Sequence, residues 1–218
     1  MTDEFTIFNQ HNTNKLPQTV AESTRVVIGV TGASGQIYAK KIITKLCQME
    51  NIDLDVVFTD TAMQVYQDEV GEDPCKLIVR GATDQTSQIN LLDNHGYYNR
   101  NASGSNAADI LIIIPCTMGT VGRIASGATT DLLSRIAEVQ LKERRRIIIV
   151  PRETPYSLIH LRNLTTLTEA GAIIAPASPS FYTNPLTIEE LTDQFVDRII
   201  AIAGITDIDP QNKWLNTI

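Results

Sequence analysis

Cysteine and histidine, the side chains that most often build crosslinks or metal sites, are scarce in this sequence of 218 residues. The three cysteines, Cys47, Cys75 and Cys116, are an odd number without CxxC spacing, so neither a disulfide framework nor a zinc site is indicated. The three histidines lie in separate parts of the chain and form no metal-ligand pair. We therefore expect a protein without a metal centre that works in a reducing cytosol.

Net positive charge and long apolar runs are also missing. The 18 Lys and Arg residues face 25 Asp and Glu residues, and the formal net charge of −7 argues against nonspecific nucleic-acid binding, which needs a broad basic face. No apolar run approaches the roughly 20 residues that span a bilayer, so we expect no membrane association. The first 23 residues contain Lys15 as their single base and lack a basic-then-apolar order, so we expect neither a secretion signal nor a transit peptide.

Apolar strand-like segments alternate with helical patterns along most of the chain. This alternation predicts a three-layer α/β fold, in which helices cover both faces of a parallel sheet. The predicted strands are Val26–Thr31, Leu54–Thr59, Asp109–Ile114, Arg146–Val150 and Ala172–Ala175.

The sequence divides into three parts. Residues 1–24 are polar and aperiodic and predict a flexible N-terminal arm, residues 25–205 predict one globular domain, and residues 206–218 predict a C-terminal tail. Within the domain, residues 71–107 are rich in Gly, Asn, Asp and Ser with little periodicity. We expect this segment to be a long functional loop.

Positive charge is concentrated between Arg135 and Glu153, where six of the 18 basic residues fall within 19 positions. Helical spacing places Arg135 and Lys142 on one helix face about 10 Å from each other. The short apolar run that follows predicts a buried strand, which delivers Arg152 and Glu153 to the strand end where α/β folds bind ligands. We interpret Arg135, Lys142 and Arg152 as an anion site, and residues 144–146 as a solvated helix end.

The motif TGASGQIY, residues 31–38, follows the first predicted strand and opens the first predicted helix. Its backbone N–H groups and the positive helix end predict a phosphate site. The motif lacks the GxGxxG spacing of a dinucleotide fingerprint, so a mononucleotide fits better, although Asp53 and Asp55 follow about 20 residues later. The alternative is a glycine turn required only for tight packing of strand against helix.

Other segments place polar or aromatic groups next to predicted strands. PCTMGT, residues 115–120, leaves backbone amides free to approach a ligand, and we interpret Cys116 within it as a small buried thiol. ASGS, residues 102–105, is a weaker candidate for wrapping an anion. Tyr182 follows the last strand, where its ring can stack on a ligand. Arg198 lies at the edge of an apolar helix face, so we expect it to reach an anionic partner, with a structural carboxylate as the alternative.

In their order along the chain, these motifs resemble the flavin prenyltransferase family, the UbiX-type partners of UbiD-type decarboxylases. The segments that carry the resemblance are TGASGQIY, ASGS, PCTMGT, LLSRIAEVQLKERR, VPRETPYSLIHLRNL, PASPSFY and the late Arg198. The resemblance covers roughly residues 25–205. It implies a Rossmann-like or flavodoxin-like subunit in a dodecamer, with reduced FMN held at subunit contacts.

The reaction that this resemblance implies needs no metal. A dimethylallyl group passes from its monophosphate to N5 of reduced FMN, and a second bond to C6 closes a fourth ring. Prenylated FMN would then be handed to a UbiD-type decarboxylase as its cofactor.

Carried over by motif, the resemblance also implies the site residues. Ser34 would hydrogen-bond near flavin N5, Glu153 would handle the proton, and Lys142 and Tyr182 would complete the catalytic set. The flavin-binding positions would be Gly32, Ala33, Ser34, Gly35, Thr59, Asp60, Thr117, Met118, Gly119, Thr120, Arg135 and Arg152. The phosphate-binding positions would be Ser103, Arg135, Lys142, Arg152, Glu153, Tyr182 and Arg198. Thr59 and Asp60 stand where relatives commonly show Ser-Lys, and Trp214 matches a late tryptophan that would make the tail a lid.

Two alternatives remain open at the level of sequence. An FMN-dependent cysteine decarboxylase of the same fold would need a catalytic histidine and an Asn-Met substrate motif, but PRETP stands at the position of the latter. A noncatalytic flavin carrier or structural subunit would not need the second phosphate pocket that Arg135, Lys142 and Arg198 suggest.

Overall fold

A computed structural model describes residues 23–81 and 88–206, without the side chains of residues 78–81 and 88. The predicted arm, residues 1–24, lies outside the described residues except for its last two positions. Of the predicted tail, residues 206–218, only residue 206 is described, so the lid role of Trp214 also lies outside the description.

A parallel sheet forms the centre of the described chain. Its strands follow the spatial order β3-β2-β1-β4-β5-β6, and every neighbouring pair is parallel. The strands are β1 (Thr24–Val30), β2 (Ile52–Phe58), β3 (Gln88–Leu92), β4 (Ile110–Cys116), β5 (Arg146–Pro151) and β6 (Ile173–Ile174).

Helices cover both faces of this sheet, which confirms the predicted three-layer α/β class. They are α1 (Gln36–Cys47), α2 (Asp60–Val70), α3 (Pro74–Gly81), α4 (Met118–Ala125), α5 (Leu132–Lys142), α6 (Leu158–Glu169) and α7 (Ile188–Ile202). Along β1, Val26 and Ile28 pack into the core formed with α1, α2 and α7, whereas Val27 packs into the core formed with α4, α5 and α6. Strands buried on both faces explain the nearly continuous apolar runs in the sequence.

Hydroxyl and carboxylate caps determine where several helices begin. The Asp131 carboxylate accepts a 2.8 Å hydrogen bond from Ser134 N at the start of α5, and the Thr187 hydroxyl accepts a 3.1 Å bond from Glu190 N at the start of α7. The Glu190 carboxylate accepts from Leu186 N at 2.6 Å, one position before the cap. Thr187 and Glu190 therefore share the cap, but not in the reciprocal arrangement of a capping box.

The prediction of a long loop over residues 71–107 was wrong for much of that segment. It contains α3, the edge strand β3 and two 3₁₀ turns at Arg100–Ala102 and Gly104–Asn106. An edge strand has a single neighbour, here β2, so its residues need not form an all-apolar run. The described helices also include none long and apolar enough to cross a membrane.

The strand order creates a topological switch point at one edge of the sheet, between β1 and β4. The chain leaves β1 toward one face and β4 toward the other, so their loops diverge at the carboxyl ends of two adjacent strands. Open α/β sheets bind ligands at such a switch point.

Candidate functional site

Backbone and hydroxyl contacts hold together the loops at the carboxyl edge of the sheet. The Thr31 hydroxyl donates to Pro115 O at 2.9 Å and accepts from Thr117 N at 2.8 Å, which joins the loops after β1 and β4. Arg152 N donates to Cys116 O at 3.1 Å, which adds the loop after β5. The glycine turn, PCTMGT and Arg152 are therefore neighbours, as the sequence predicts for strand ends at one edge.

Glycine is required at two positions of the turn before α1. Gly35 has φ +99°, a conformation that L side chains rarely adopt. A Cβ on Gly32 would lie 2.5 Å from Thr61 Cγ2 in the first turn of α2. Beside them, Ala33 is buried, and its carbonyl accepts from Gln36 Nε2 at 2.7 Å. The turn is thus fixed by its own sequence and by α2.

Glu69 occupies the N-terminal end of α1. Its Oε2 accepts hydrogen bonds from Gly35 N and Gln36 N, both at 2.8 Å. Burial alone would raise the pKa of Glu69, but the hydrogen bonds from Ser34, Gln36 and Gly35, together with the charge of Arg152, hold it below its ordinary value. The arrangement shows that this turn stabilises negative charge.

Sequence reasoning missed Glu69 entirely. It lies near the end of α2, 34 residues beyond Gly35, so no local spacing connects it with the glycine turn. A tertiary contact between α1 and α2 creates the pair. We call Ser34, Glu69, Arg152 and Glu153 the carboxyl-edge set.

The start of α4 offers further donors beside this turn. The Thr117 hydroxyl caps the helix by accepting from Thr120 N at 3.2 Å, and it donates to the Thr120 hydroxyl at 3.0 Å. Met118 is buried, whereas Gly119 is exposed. Arg123 Nη2 donates to the Thr120 hydroxyl at 3.0 Å, so a cation lies one helical turn behind these hydroxyls.

Thr59 and Asp60 follow β2 at the same edge. The Thr59 hydroxyl caps α2 by accepting from Ala62 N at 3.3 Å. Asp60 is exposed, and each of its two carboxylate oxygens lies 3.1 Å from His95 Nε2. This contact raises the pKa of His95, chiefly through its hydrogen bond with Asp60. His95 therefore engages an acidic residue at a position predicted to contact flavin.

Glu153 lies exposed beyond β5, directly after Arg152. Its Oε1 accepts a hydrogen bond from Thr154 N at 2.9 Å. Burial raises the pKa of Tyr156, and the charge of Glu153 adds to that effect, so the two side chains are close. The carboxylate keeps one oxygen without a hydrogen-bond donor among the described residues, which suits a group that exchanges a proton with a ligand.

Ser103, Arg135 and Lys142 lie together elsewhere, and we call them the amino-edge set. Arg135 Nε donates to Ala102 O at 3.2 Å, next to Ser103. A Cβ on Gly104 would collide with Lys142 and Glu143 at the end of α5. The Ser103 and Ser105 hydroxyls are 3.1 Å apart. The ASGS motif and the two cations therefore form one exposed surface.

Most members of the two sets lie toward opposite edges of the sheet within one subunit. The loop before β4 and Lys142 at the end of α5 lie at the amino ends of the strands, whereas Ser34 and Arg152 follow strands at the carboxyl ends. Arg135 lies between the two edges, because it is near the start of α5, which is bonded to Asn94 in the loop after β3. The seven residues of β4 span roughly 20 Å, at about 3.3 Å per residue. Lys142 and Arg152, two of the three residues of the sequence-based anion site, thus lie toward different edges of the sheet.

Three other predicted residues have mixed outcomes. Arg198 is exposed on α7 and makes no ion pair or hydrogen bond within the described residues, so the expected anionic partner is not found in that part of the chain. Tyr182 lies beyond β6 and is 49% exposed. Cys116 is fully buried, which confirms the interpretation of a small buried thiol, and burial raises the pKa of this thiol.

The basic run 144–146 is exposed at all three positions, which confirms the prediction of a solvated segment, although two of the side chains also contact other parts of the chain. Arg144 is exposed at the end of α5, but Arg145 Nη1 lies 3.3 Å from Asp109 Oδ1, and Arg146 Nη1 donates to Ala203 O. Two of the three guanidinium groups therefore fasten loops to the amino edge. Among the described residues, no group of three or more His, Cys, Asp and Glu side chains has the arrangement of a metal site.

Comparisons with known proteins agree with a nucleotide site on this fold. Residues 15–203 match the Flavoprotein family, and the chain belongs to that family. It is 38% identical over 195 residues to the flavin prenyltransferase UbiX of Thermoplasma acidophilum, an alignment that covers 87% of this chain and 99% of the relative. Within the Flavoprotein family, its place is among the flavin prenyltransferases.

Solved structures show the same relationship. AnUbiX (PadA1) in complex with FMN and dimethylallyl pyrophosphate has a TM-score of 0.77 and 37% identity, covering 84% of this chain and 93% of that chain. The dodecameric FMN-dependent Ubix-like decarboxylase from Escherichia coli O157:H7 has a TM-score of 0.76 and 30% identity, covering 83% and 95%. Peptidyl-cysteine decarboxylase EpiD has a TM-score of 0.52 and 16% identity, covering 72% of this chain and 88% of that chain. At this identity, the likeness shows a shared fold alone.

Proposed function

We propose that this protein is a flavin prenyltransferase that joins a dimethylallyl group from dimethylallyl monophosphate to N5 and C6 of reduced FMN. Its relatives of that name, and the solved relative with FMN and dimethylallyl pyrophosphate, support this function. One observation in the structure carries the proposal further: the chain has anion-binding groups in two places, the glycine turn with Arg152 and the amino-edge set. A reaction between a flavin phosphate and a prenyl phosphate needs two such places.

The loops at the carboxyl edge bind the flavin. The glycine turn, Gly32 to Gly35, provides close backbone approach, and the start of α4 provides the amides and hydroxyls of residues 117–120. Thr59 and Asp60 border the same crevice, and Arg152 adds a cation. The residues present thus fit a mononucleotide, which has one phosphate and a flat ring.

Ser34 and Glu69 are placed to act at the reacting part of the flavin. The Ser34 hydroxyl donates a hydrogen bond to Glu69, and both this bond and the charge of Arg152 lower the pKa of Glu69. A hydroxyl held in this way has a fixed direction, so it can orient one flavin atom toward the prenyl group. Glu153, the neighbour of Arg152 in the sequence, takes the proton that leaves as the new ring forms.

The prenyl phosphate binds the amino-edge set. Departure of an allylic phosphate leaves an anion, and preplaced cations such as Arg135 and Lys142 stabilise its developing charge. Ser103 adds a hydroxyl donor, and Tyr182 and Arg198 complete the pocket from other elements. Arg198 has no anionic partner among the described residues, so its charge is available for a ligand.

Because most members of the two sets lie toward opposite edges of one subunit, a complete site combines edges of different subunits. We infer a homo-oligomer, with the dodecamer as its form, as in the Escherichia coli relative. Exposed apolar side chains on α6 support such contacts, since Leu158 and Ile159 are 61% and 68% exposed. The product is prenylated FMN, and we assign it to a UbiD-type decarboxylase. Cys47, Cys75 and Cys116 are all free thiols, which supports a cytoplasmic location.

Anaerobic incubation of the purified protein with reduced FMN and dimethylallyl monophosphate, followed by mass spectrometry of the released flavin, tests this function. We expect the flavin mass to increase by one five-carbon prenyl unit. Unchanged flavin with either the monophosphate or the diphosphate donor, while FMN remains bound, would instead support a flavin carrier. Incubation with a peptide that ends in cysteine tests the cysteine decarboxylase alternative, for which carbon dioxide release is the readout.

A further inference from the structure

Asp55 is a buried carboxylate in the middle of β2. Its side chain belongs to a residue that is 2% exposed, between the fully buried Leu54 and Val56. Removal of a carboxylate from water is costly unless hydrogen-bond donors or cations surround it. A buried carboxylate at this position therefore needs hydrogen-bond donors, and the residues that supply these donors identify the segment that Asp55 holds in place.

Donors from three residues surround Asp55. Asn101 Nδ2 donates to Oδ2 at 2.6 Å, and Arg100 Nε and Nη2 donate to the same oxygen at 3.1 and 3.0 Å. Asn90 Nδ2, opposite Asp55 in the strand register, donates to Oδ1 at 2.9 Å. Arg100 also contacts Asp53, with Nη2 2.9 Å from Oδ1. Two of the partners of Asp55 thus belong to the segment that precedes ASGS.

Arg25 holds the other end of the same segment. Its Nη2 donates to Asn101 Oδ1 at 2.9 Å and to Asn106 O at 2.8 Å. Asn101 is 1% exposed, so it connects Asp55 with Arg25 inside the protein. The contacts fix residues 100–101 and 106, and residues 102–105 form the ASGS motif between these fixed points.

The loop held in this way supports the amino-edge set. Ala102 O accepts from Arg135 Nε, and Gly104 lies directly against Lys142. A displacement of the loop would move the Ser103 hydroxyl and also remove the support of the Arg135 guanidinium. The position of three proposed phosphate ligands thus depends on contacts made beneath them.

We propose that Asp55, acting through Arg100 and Asn101, is a positioning residue for the prenyl-phosphate site. This inference rests on the proposed function, because that function assigns the phosphate to Ser103, Arg135 and Lys142. The spacing of Asp53 and Asp55 after the glycine turn needs no dinucleotide to explain it, since both carboxylates bind Arg100 just before the ASGS motif.

Asp55→Asn in the full-length protein tests this role, because it removes the charge and keeps the size of the side chain. Asp193→Asn is the matched control, since Asp193 forms ion pairs with Lys41 and Lys45 on α1, away from the loop. Arg100→Gln is the second test variant, because the Arg100 side chain is 40% exposed and tolerates replacement better if Asp55→Asn fails to fold.

Two measurements distinguish positioning from general stability. Hydrogen exchange should become faster over residues 99–107 in both test variants, with no change over residues 31–36. The KM for dimethylallyl monophosphate should rise roughly 10-fold, while the Kd for FMN stays within about twofold of the parent value. Asp193→Asn should change none of these quantities.

Unchanged exchange over residues 99–107 would overturn the positioning role, and so would a loosened loop with unchanged KM. An equal loss of FMN and prenyl-phosphate binding would also overturn it, because that result indicates general destabilisation. If the parent protein transfers no prenyl group, the proposed function fails. The exchange of the loop and the binding of dimethylallyl monophosphate, measured by calorimetry, still decide the role of Asp55 in that case.

Discussion

The carboxyl edge and the amino edge of the sheet bind negative charge in different ways. At the carboxyl edge, backbone amides of Gly35 and Gln36 point at one position, and a carboxylate of the protein already lies there. In the amino-edge set, two long side chains, Arg135 and Lys142, carry the positive charge. The first arrangement is fixed by the backbone, whereas the second depends on side chains that can exchange partners.

Within the subunit, each cation of the amino-edge set is paired with an acidic residue that lies on α5 or caps its C-terminal end. Arg135 Nη1 lies 2.7 Å from Glu138 Oε2, and Lys142 pairs with Glu143. The contact with Lys142 lowers the pKa of Glu143, chiefly through the hydrogen bond that Lys142 donates. An incoming phosphate competes with these exposed carboxylates, which bind weakly in water. This edge therefore suits a phosphate that binds and leaves in each reaction.

The largest effect is expected at the carboxyl edge, from Glu153→Gln. The variant keeps the size of the side chain but cannot accept the proton, so the rate of prenyl transfer should fall about 10²- to 10⁴-fold. FMN binding, followed by flavin fluorescence, should be retained. Glu50→Gln, an exposed residue outside both sets, is the control. Equal rates for Glu153→Gln and the parent would remove Glu153 from the mechanism.

At the amino edge, Lys142→Ala should raise the KM for dimethylallyl monophosphate about 10- to 100-fold, the range expected when a charged hydrogen bond is lost. The Kd for FMN should not change, because the flavin loops lie at the other edge. Lys76→Ala, an exposed lysine on α3, serves as the control. A weaker FMN affinity without a change in KM would contradict the division between the edges.

Mixed oligomers test directly whether the two edges come from different subunits. Co-expression of Glu153→Gln with Lys142→Ala should restore activity at about a quarter of the sites, if subunits assemble at random and each site uses one edge from each of two chains. Activity no higher than the mean of the two single variants would place both edges of a site in one chain.

The backbone of the glycine turn should respond moderately to substitution. Gly35→Ala should destabilise the protein by about 1–2 kcal/mol, because φ of +99° is unfavourable for alanine. Gly122→Ala is the contrasting variant, since this helical glycine has ordinary contact distances and an alanine should stabilise α4 by roughly 0.5–1 kcal/mol. Chemical denaturation measures both. Similar losses of stability would show that the positive φ is not the cause.

The smallest effect is expected for the acid dependence of Glu69. Its pKa is lowered in the folded protein, so its contribution to stability is present above the ordinary pKa of glutamate and is lost as the pH falls through the lowered value. Acidification below about pH 4.5 should lower the Tm of the parent slightly more than that of Glu69→Gln. Parallel Tm curves for the two proteins would show that Glu69 is not stabilised by the turn.

Local sequence patterns predicted five of the six described strands and the glycine turn, because their signals lie within a few residues. Val26 and its neighbours form an apolar run that is buried on both faces, and TGASGQIY connects that run to a helix. Edge strand β3 was missed because it pairs on one side only and its sequence, QINLL, mixes polar and apolar residues. Glu69 was missed because its partners are 33 and 34 residues away.

The sequence by itself determined the α/β class, the order of the motifs and their resemblance to a flavin prenyltransferase, since each of these depends on residues that are close along the chain. Tertiary structure decided which of these motifs share an edge. Arg152 and Lys142 were grouped by charge and proximity in sequence, but they lie toward opposite edges of the sheet, which a strand separates by roughly 20 Å. Asp55 follows the glycine turn at the distance along the chain that is typical of a ribose-binding acid. In the folded protein, however, its carboxylate accepts hydrogen bonds from Arg100, and this contact determines its role.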